Sequence, residues 1–287
     1  MKKIFFDQVT VLGVGLIGAS FALAMKKKNL CKEIIGFGRN KDNLRNARER
    51  GMIDRYEADP GAACSGSDLI LFATPVGSFL DLAARAKTSF KKGAVVTDVG
   101  SVKGNLVYEM EKTLPKDVMF IGAHPIAGND RAGIDTSQAG LFENTYCIVT
   151  PTEHSDAQAT EKIIALWTAL GARTITIPPL RHDIMYGAVS HLPHIIAYTL
   201  INTSAEIDSS SLRFCGQGFL DTTRIAGSSP ELWRDICMLN KDNLLEMIEI
   251  FQKKLALIGQ YLRASDADSL EGEFKKARTL REGIGQD

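Results

Sequence analysis

The sequence predicts an α/β fold in which a doubly wound parallel sheet is followed by an all-helical segment. Three observations predict it. A glycine-rich turn stands between a strand-like run and a helix-like run at residues 9–24. Strand and helix patterns then alternate through residue 177. Beyond Pro178-Pro179 the apolar residues recur at helical spacing only.

The first strand, 9–13, is a short apolar run carrying Val9, Val11 and Leu12. Gly13, Gly15 and Gly18 follow as G-x-G-x-x-G, and a helix is expected over 16–28. In that setting the first glycine permits a tight turn. The second leaves room for a pyrophosphate against the backbone, and the third lets the helix lie close on the sheet. The helix start at Leu16 and Ile17 then points free N–H groups at the phosphates. This first half is therefore expected to be a Rossmann-type domain that binds NAD or NADP. The second strand, 33–37, runs into Gly38-Arg39-Asn40-Lys41. A carboxylate there would bind the ribose hydroxyl of NAD. Arg39 stands in its place, suited to a 2′-phosphate or else a solvated surface arginine, so NADP is expected to be accepted.

Further strands are expected at 68–74, 94–98, 118–123, 145–150 and 173–177, with helices at 40–50, 77–90, 102–113 and 155–170. Right-handed crossovers should join the parallel strands. Pro178-Pro179 extends neither a strand nor a helix interior and marks the expected boundary between domains 1–178 and 179–287. The second domain reads as helices at 181–203 (interrupted by Pro193), 230–262 and 266–282. Its apolar surface suggests a homodimer, the alternative being an ordinary intramolecular bundle.

Composition narrows the partners. The 34 basic and 34 acidic residues cancel, so no basic surplus argues for nucleic acid. Met1-Lys2-Lys3 runs straight into a strand, unlike a signal peptide. No apolar run is expected to reach membrane-spanning length, so no membrane partner is expected. Five scattered cysteines without a C-x-x-C pair read as reduced thiols in a cytoplasm.

Ligands bind beyond the carboxyl ends of parallel strands. Thr74 and Pro75 end one strand and should lie beside the cofactor. Asp98-Val99-Gly100-Ser101-Val102-Lys103 ends the next, and Gly122-Ala123-His124-Pro125-Ile126-Ala127-Gly128 the one after. His124 should face the crevice and take a proton from an alcohol whose carbon loses a hydride. Ser101 is placed to hydrogen-bond His124 or the substrate oxygen. In the helical half, Pro193 kinks Ser190-His191-Leu192-Pro193-His194 and frees polar groups near His194 for substrate, with His191 readable as a core histidine. No carboxylate or cysteine accompanies H-x-x-H at metal-ligand spacing, so no metal is expected. Arg224, just before a helix capped by Ser228 or Ser229, can grip a carboxylate with its guanidinium. Arg234 is expected to pair with Asp235 or Glu231, and Trp233 to sit in the core.

These residues resemble the prephenate dehydrogenase family, which includes arogenate-using members. The likeness runs through nearly the whole chain. Its marks are G-x-G-L-I-G at 13–18, D-V-G-S-V-K at 98–103, H-P-I-A-G at 124–128, S-H-L-P-H at 190–194 and T-R-I-A-x-S-x-P-x-x-W-R-D at 223–235. The resemblance implies a Rossmann domain joined to a helical dimerisation domain. It implies oxidative decarboxylation of prephenate to 4-hydroxyphenylpyruvate on the route to tyrosine, or of arogenate to tyrosine itself. By position, it makes His124 the catalytic histidine with Ser101 assisting. Ser190 and His194 then contact substrate, Arg224 binds a substrate carboxylate, and His182 is tied to substrate or tyrosine binding. Gln217 replaces a glycine of some relatives, in a loop that can serve the partner's site and bear on side-chain recognition. β-Hydroxyacid dehydrogenases resemble the architecture too, but they rely on a lysine in the helical domain. This chain has none between Lys162 and Lys241. A non-catalytic dinucleotide sensor would not need His124, Ser101, His194 and Arg224 together.

Overall fold

The structure, a computed structural model, describes residues 5–128 and 133–284. The chain forms two compact units, Met1–Lys241 and Asp242–Asp287.

The first unit is built on an alternation of strands and helices: β1 (Phe6–Leu12), α1 (Leu16–Lys27), β2 (Cys31–Phe37), α2 (Lys41–Glu49), β3 (Arg55–Glu57), α3 (Pro60–Cys64), β4 (Leu69–Phe72), α4 (Phe79–Ala86), β5 (Val95–Asp98), α5 (Gly104–Thr113), β6 (Met119–Pro125), β7 (Tyr146–Thr150), α6 (Ala157–Ala169) and β8 (Arg173–Thr176). The sheet order is β3-β2-β1-β4-β5-β6-β7-β8. Its first six strands are parallel and follow the Rossmann order 3-2-1-4-5-6. Alternate residues of one strand serve opposite faces. Val9 and Val11 join a core with Phe21, Ile163 and Trp167, whereas Leu12 joins a core with Phe72, Phe79 and Val107. Burial on both faces is why these strands read as continuous apolar runs.

Three features differ from the sequence reading. β3 and α3 form in a stretch where no strand or helix was expected. The signal for α3 was present, since Asp59 caps it by accepting from the Ala62 N–H and Pro60 sits in its first turn. β7 runs antiparallel to β6 rather than parallel, pairing Ala123 with Val149 and His124 with Ile148. That pairing carries β6 two residues past its expected end at 123, so His124 is held in a strand.

The helical part begins with α7 (Pro179–Tyr186), passes through a π-helical turn at Gly187–His191, and continues as α8 (Leu192–Asp208). Pro193 has no N–H to give the preceding turn, and the wide turn lies immediately before it. By length and composition, the stretch Pro179–Phe214 is apolar enough to cross a membrane, contrary to the expectation above. Little of it is buried within the chain, so its apolar side chains are open to a partner surface. Next come α9 (Gln217–Thr223), a 3-10 turn at Arg224–Gly227 and α10 (Pro230–Leu239). Trp233 and Ile236 of α10 pack into the same core as Phe72 and Phe79. The helix expected over 230–262 breaks at the buried Asn240.

The second unit holds the body of α11 (Lys241–Ala264) and α12 (Ala267–Glu282). Asp266 caps α12 by accepting from the Ser269 N–H, and Lys275–Glu271 and Arg278–Glu282 pair one turn apart on its surface.

Candidate active site

The glycine turn between β1 and α1 has the shape a pyrophosphate needs. Gly13 has φ +103°, and a Cβ there would lie 2.5 Å from the Ala73 carbonyl oxygen. A Cβ at Gly18 would lie 2.1 Å from the Gly13 oxygen, so the helix packs against the turn only because Gly18 lacks one. A Cβ at Gly15 would meet nothing within 4 Å. Gly15 therefore opens onto free space at the start of α1, where no side chain caps the helix and no acidic residue occupies the first turn. The N–H groups of Leu16 and Ile17 are left for an anion. Thr74 and Pro75 follow β4 on the other side of the turn, and Thr74 accepts from the Ser78 hydroxyl at 2.8 Å. Arg39 is exposed, two residues past the end of β2. The residues fit a dinucleotide.

A cleft of about 670 Å³ lies at the end of β6. His124, Tyr186, Ser190, His194 and Arg224 line it. Each is held differently. His124 is fixed by the β6–β7 ladder. Ser190 sits in the π turn before Pro193. The His194 ring lies flat on Trp233, with centroids 3.4 Å apart and planes 20° apart. Its Nδ1 bonds the Ser190 carbonyl at 2.9 Å and so donates, which leaves Nε2 as an acceptor. Arg224 opens the 3-10 turn before α10, whose cap is Ser229, accepting from the Leu232 N–H. The cleft thus presents a neutral imidazole acceptor, hydroxyl and imidazole groups, and a guanidinium for an anionic group.

Beneath His124 lies a chain of polar contacts. His124 Nδ1 meets His182 Nε2 at 2.9 Å, and His182 Nδ1 meets Asp183 Oδ1 at 2.8 Å. Asp183 Oδ1 also accepts from the Lys103 backbone N–H at 2.7 Å. The Lys103 ammonium is buried and pairs with the buried Asp98, which also accepts from the Gly100 and Ala123 N–H groups. Asn240 donates to the Asp183 carbonyl at 2.9 Å and stands 3.0 Å from His191 Nδ1. The Tyr186 ring stacks on His182 and tilts against His124, with centroids at 4.5 and 4.8 Å.

Burial lowers His124 well below the usual histidine range, helped by His182 and Lys103. Burial takes His182 down to about 2 and His191 to about 4. Burial also raises the Asp183 carboxyl to about 6, against the pull of the Lys103 donor and charge. At neutral pH the three histidines are therefore neutral and Asp183 is ionised.

His124, Ser190, His194 and Arg224 come together as expected. Two expected contacts do not form. His182 is fully buried with both ring nitrogens engaged, so it supports His124 and does not touch the cleft. Among the described residues, Ser101 makes no hydrogen bond to His124, whose Nδ1 goes to His182. Gln217, whose loop was expected to serve the partner's site, is exposed at the start of α9 and donates to Asp221 at 2.8 Å. Arg234 pairs with Asp235, as expected. The sequence reading missed Asp183, Tyr186, Asn240 and the Lys103–Asp98 pair. The aspartate directly after His182 was a legible signal, whereas Asn240 lay inside an apparently continuous helical pattern.

Two family models match the chain: the prephenate dehydrogenase nucleotide-binding domain over residues 21–176 and the prephenate dehydrogenase dimerization domain over residues 178–276. A prephenate dehydrogenase of Bacillus subtilis is 34% identical over 97% of this chain and 76% of its own length. The structure of prephenate dehydrogenase from Aquifex aeolicus, in complex with hydroxyphenyl propionate and NAD+, is similar with a TM-score of 0.92. That match is 32% identical and covers 99% of this chain and 100% of the other. Synechocystis arogenate dehydrogenase matches with a TM-score of 0.80 and 27% identity, over 96% of this chain and 99% of its own.

Proposed function

The chain belongs to the prephenate dehydrogenase family: it is an NAD-dependent enzyme of oxidative prephenate decarboxylation in tyrosine biosynthesis, and we propose that His124, Arg224, Ser190 and His194 carry that step. The glycine turn with Leu16 and Ile17 holds the pyrophosphate, and Thr74 and Pro75 flank it. A dinucleotide held there would supply the hydride acceptor for the hydroxyl-bearing ring carbon. His124 takes the hydroxyl proton on Nε2 as the carbonyl forms. The bond to the ring carboxylate breaks, its electrons pass through the ring to the carbonyl oxygen, carbon dioxide leaves, and His124 returns the proton to that oxygen to give the aromatic phenol. Arg224 grips a substrate carboxylate, while Ser190 and His194 orient the polar groups. Because aromatisation drives the reaction, the protein's task is orientation and the handling of one proton.

One observation supports this reading above the others: His124 and Arg224 line the same cleft. The test is an assay of prephenate and arogenate, each against NAD and NADP, following reduced nicotinamide. Turnover of prephenate is expected, and no turnover of either acid would overturn the reading. Arogenate is the second reading, favoured by the likeness to the Synechocystis enzyme. NADP joins the proposal through Arg39, which replaces the carboxylate that favours NAD. The functional division is at Pro178-Pro179, with dinucleotide binding before it and substrate binding and dimerisation after it. A homodimer fits the dimerization-domain match and the exposed Val189, Ile207 and Phe214. Five free cysteines suit a cytoplasmic setting.

A further inference from the structure

The proposed step uses one nitrogen of His124 and leaves two ionisable neighbours without a role. His182 and Asp183 are both buried, and they form a single file with His124: imidazole, imidazole, carboxylate, with contacts of 2.9 and 2.8 Å. Each link has one proton, so the direction of every hydrogen bond follows from the end of the file. Asp183 is an acceptor, since it takes the Lys103 N–H on the same oxygen that faces His182. His182 must then carry its proton on Nδ1, and a neutral imidazole carries only one. Its Nε2 is a lone pair, so His124 must donate from Nδ1. That leaves His124 Nε2 as a lone pair, and among the described residues no group bonds it.

We propose that His182 and Asp183 are positioning residues that lock His124 in the tautomer whose bare Nε2 faces the substrate hydroxyl. This rests on the proposed function and adds the means by which His124 is ready to accept a proton before substrate arrives. An isolated imidazole exchanges its two tautomers freely, and the one with its proton on Nε2 has no lone pair there to offer the substrate hydroxyl. The carboxylate end of the file is anchored at the start of α5 by the Lys103 N–H, and the backbone beside it by Asn240. The buried Lys103 charge opposes protonation of both imidazoles and favours the ionised Asp183. The Tyr186 ring covers the His182 face and closes the pair off from the cleft.

The decisive variant is Asp183→Asn. Its amide is neutral and no longer holds the His182 proton on Nδ1 by charge, which frees the His124 proton to move to Nε2. Expected are a fall in kcat of about 10²-fold or more, the scale of lost general-base catalysis, and a KM for prephenate that is little changed. The second measurement needs no substrate. Nitrogen-15 NMR of the histidine-labelled wild-type protein, with His124 assigned by its loss in His124→Asn, should show an unprotonated Nε2 and a protonated Nδ1. A folded Asp183→Asn enzyme with wild-type kcat, or a wild-type His124 protonated on Nε2, would overturn the relay. A His124 tautomer as expected in an enzyme that oxidises neither prephenate nor arogenate would overturn the proposed function instead, and leave the relay standing.

Discussion

Arg224 and His124 have separable duties, and kinetics can tell them apart. Under the proposed function Arg224 grips the side-chain carboxylate, which stays charged while the ring carboxylate leaves, so it binds ground state and transition state alike. Arg224→Ala should raise the KM for prephenate tenfold or more, at about 1.5–3 kcal/mol for a charge-assisted hydrogen bond, with kcat much less affected. Unchanged KM in steady-state assays would remove Arg224 from the substrate. Arg39 has a narrower duty. If it meets a 2′-phosphate, Arg39→Ala should raise the KM for NADP and leave that for NAD nearly constant. At this scale the sequence was most legible where a residue type announces its chemistry, as for His124, His194 and Arg224. It was least legible for support. Nothing in the residue types said that His124 would bond His182 in preference to Ser101, because that choice is made by the placement of α7 against α5 and β6.

The glycine turn separates folding from binding. Gly13→Ala places a methyl group against the Ala73 backbone at a positive φ, so it should lower the melting temperature. Gly15→Ala meets no neighbour, so it should leave melting unchanged while weakening NAD binding in a titration. Equal effects of the two on stability would contradict the assigned roles. The start of α5 carries another constraint. Lys103→Met leaves the Asp98 carboxyl buried without its partner, and a loss of about 3–5 kcal/mol in denaturant unfolding is expected. Element types and order were readable from apolar runs and turn residues, because strands buried on both faces and helices with one apolar stripe differ in period. The extension of β6 through His124 was not readable, since it depends on pairing with a strand more than twenty residues later. The break at Asn240 was hidden for a related reason: its side chain serves distant partners, the Asp183 carbonyl and His191.

Across the whole molecule, the buried histidines make stability depend on pH. Burial takes His191 from 6.5 to about 4 and His182 from 6.5 to about 2, so between those values the unfolded chain binds more protons than the folded one. Their contribution is complete above pH 6.5 and is lost as pH falls. Asp183, raised from 3.8 to about 6, opposes them in part, because its protonated form favours the fold. Two groups with larger shifts outweigh one, so the melting temperature should drop as pH is lowered from 6.5 to about 4, and a flat profile would contradict this. Sedimentation should show a dimer at micromolar concentration. The sequence carried the exposed apolar residues of the helical part, but not which of them a second copy covers. Acceptance of the substrate proton by His124 is the event on which turnover depends. It is tested most directly by kcat of His124→Asn with prephenate and NAD both saturating. A fall of about 10²–10⁴-fold with unchanged NAD affinity is predicted, and turnover at the wild-type rate would contradict it.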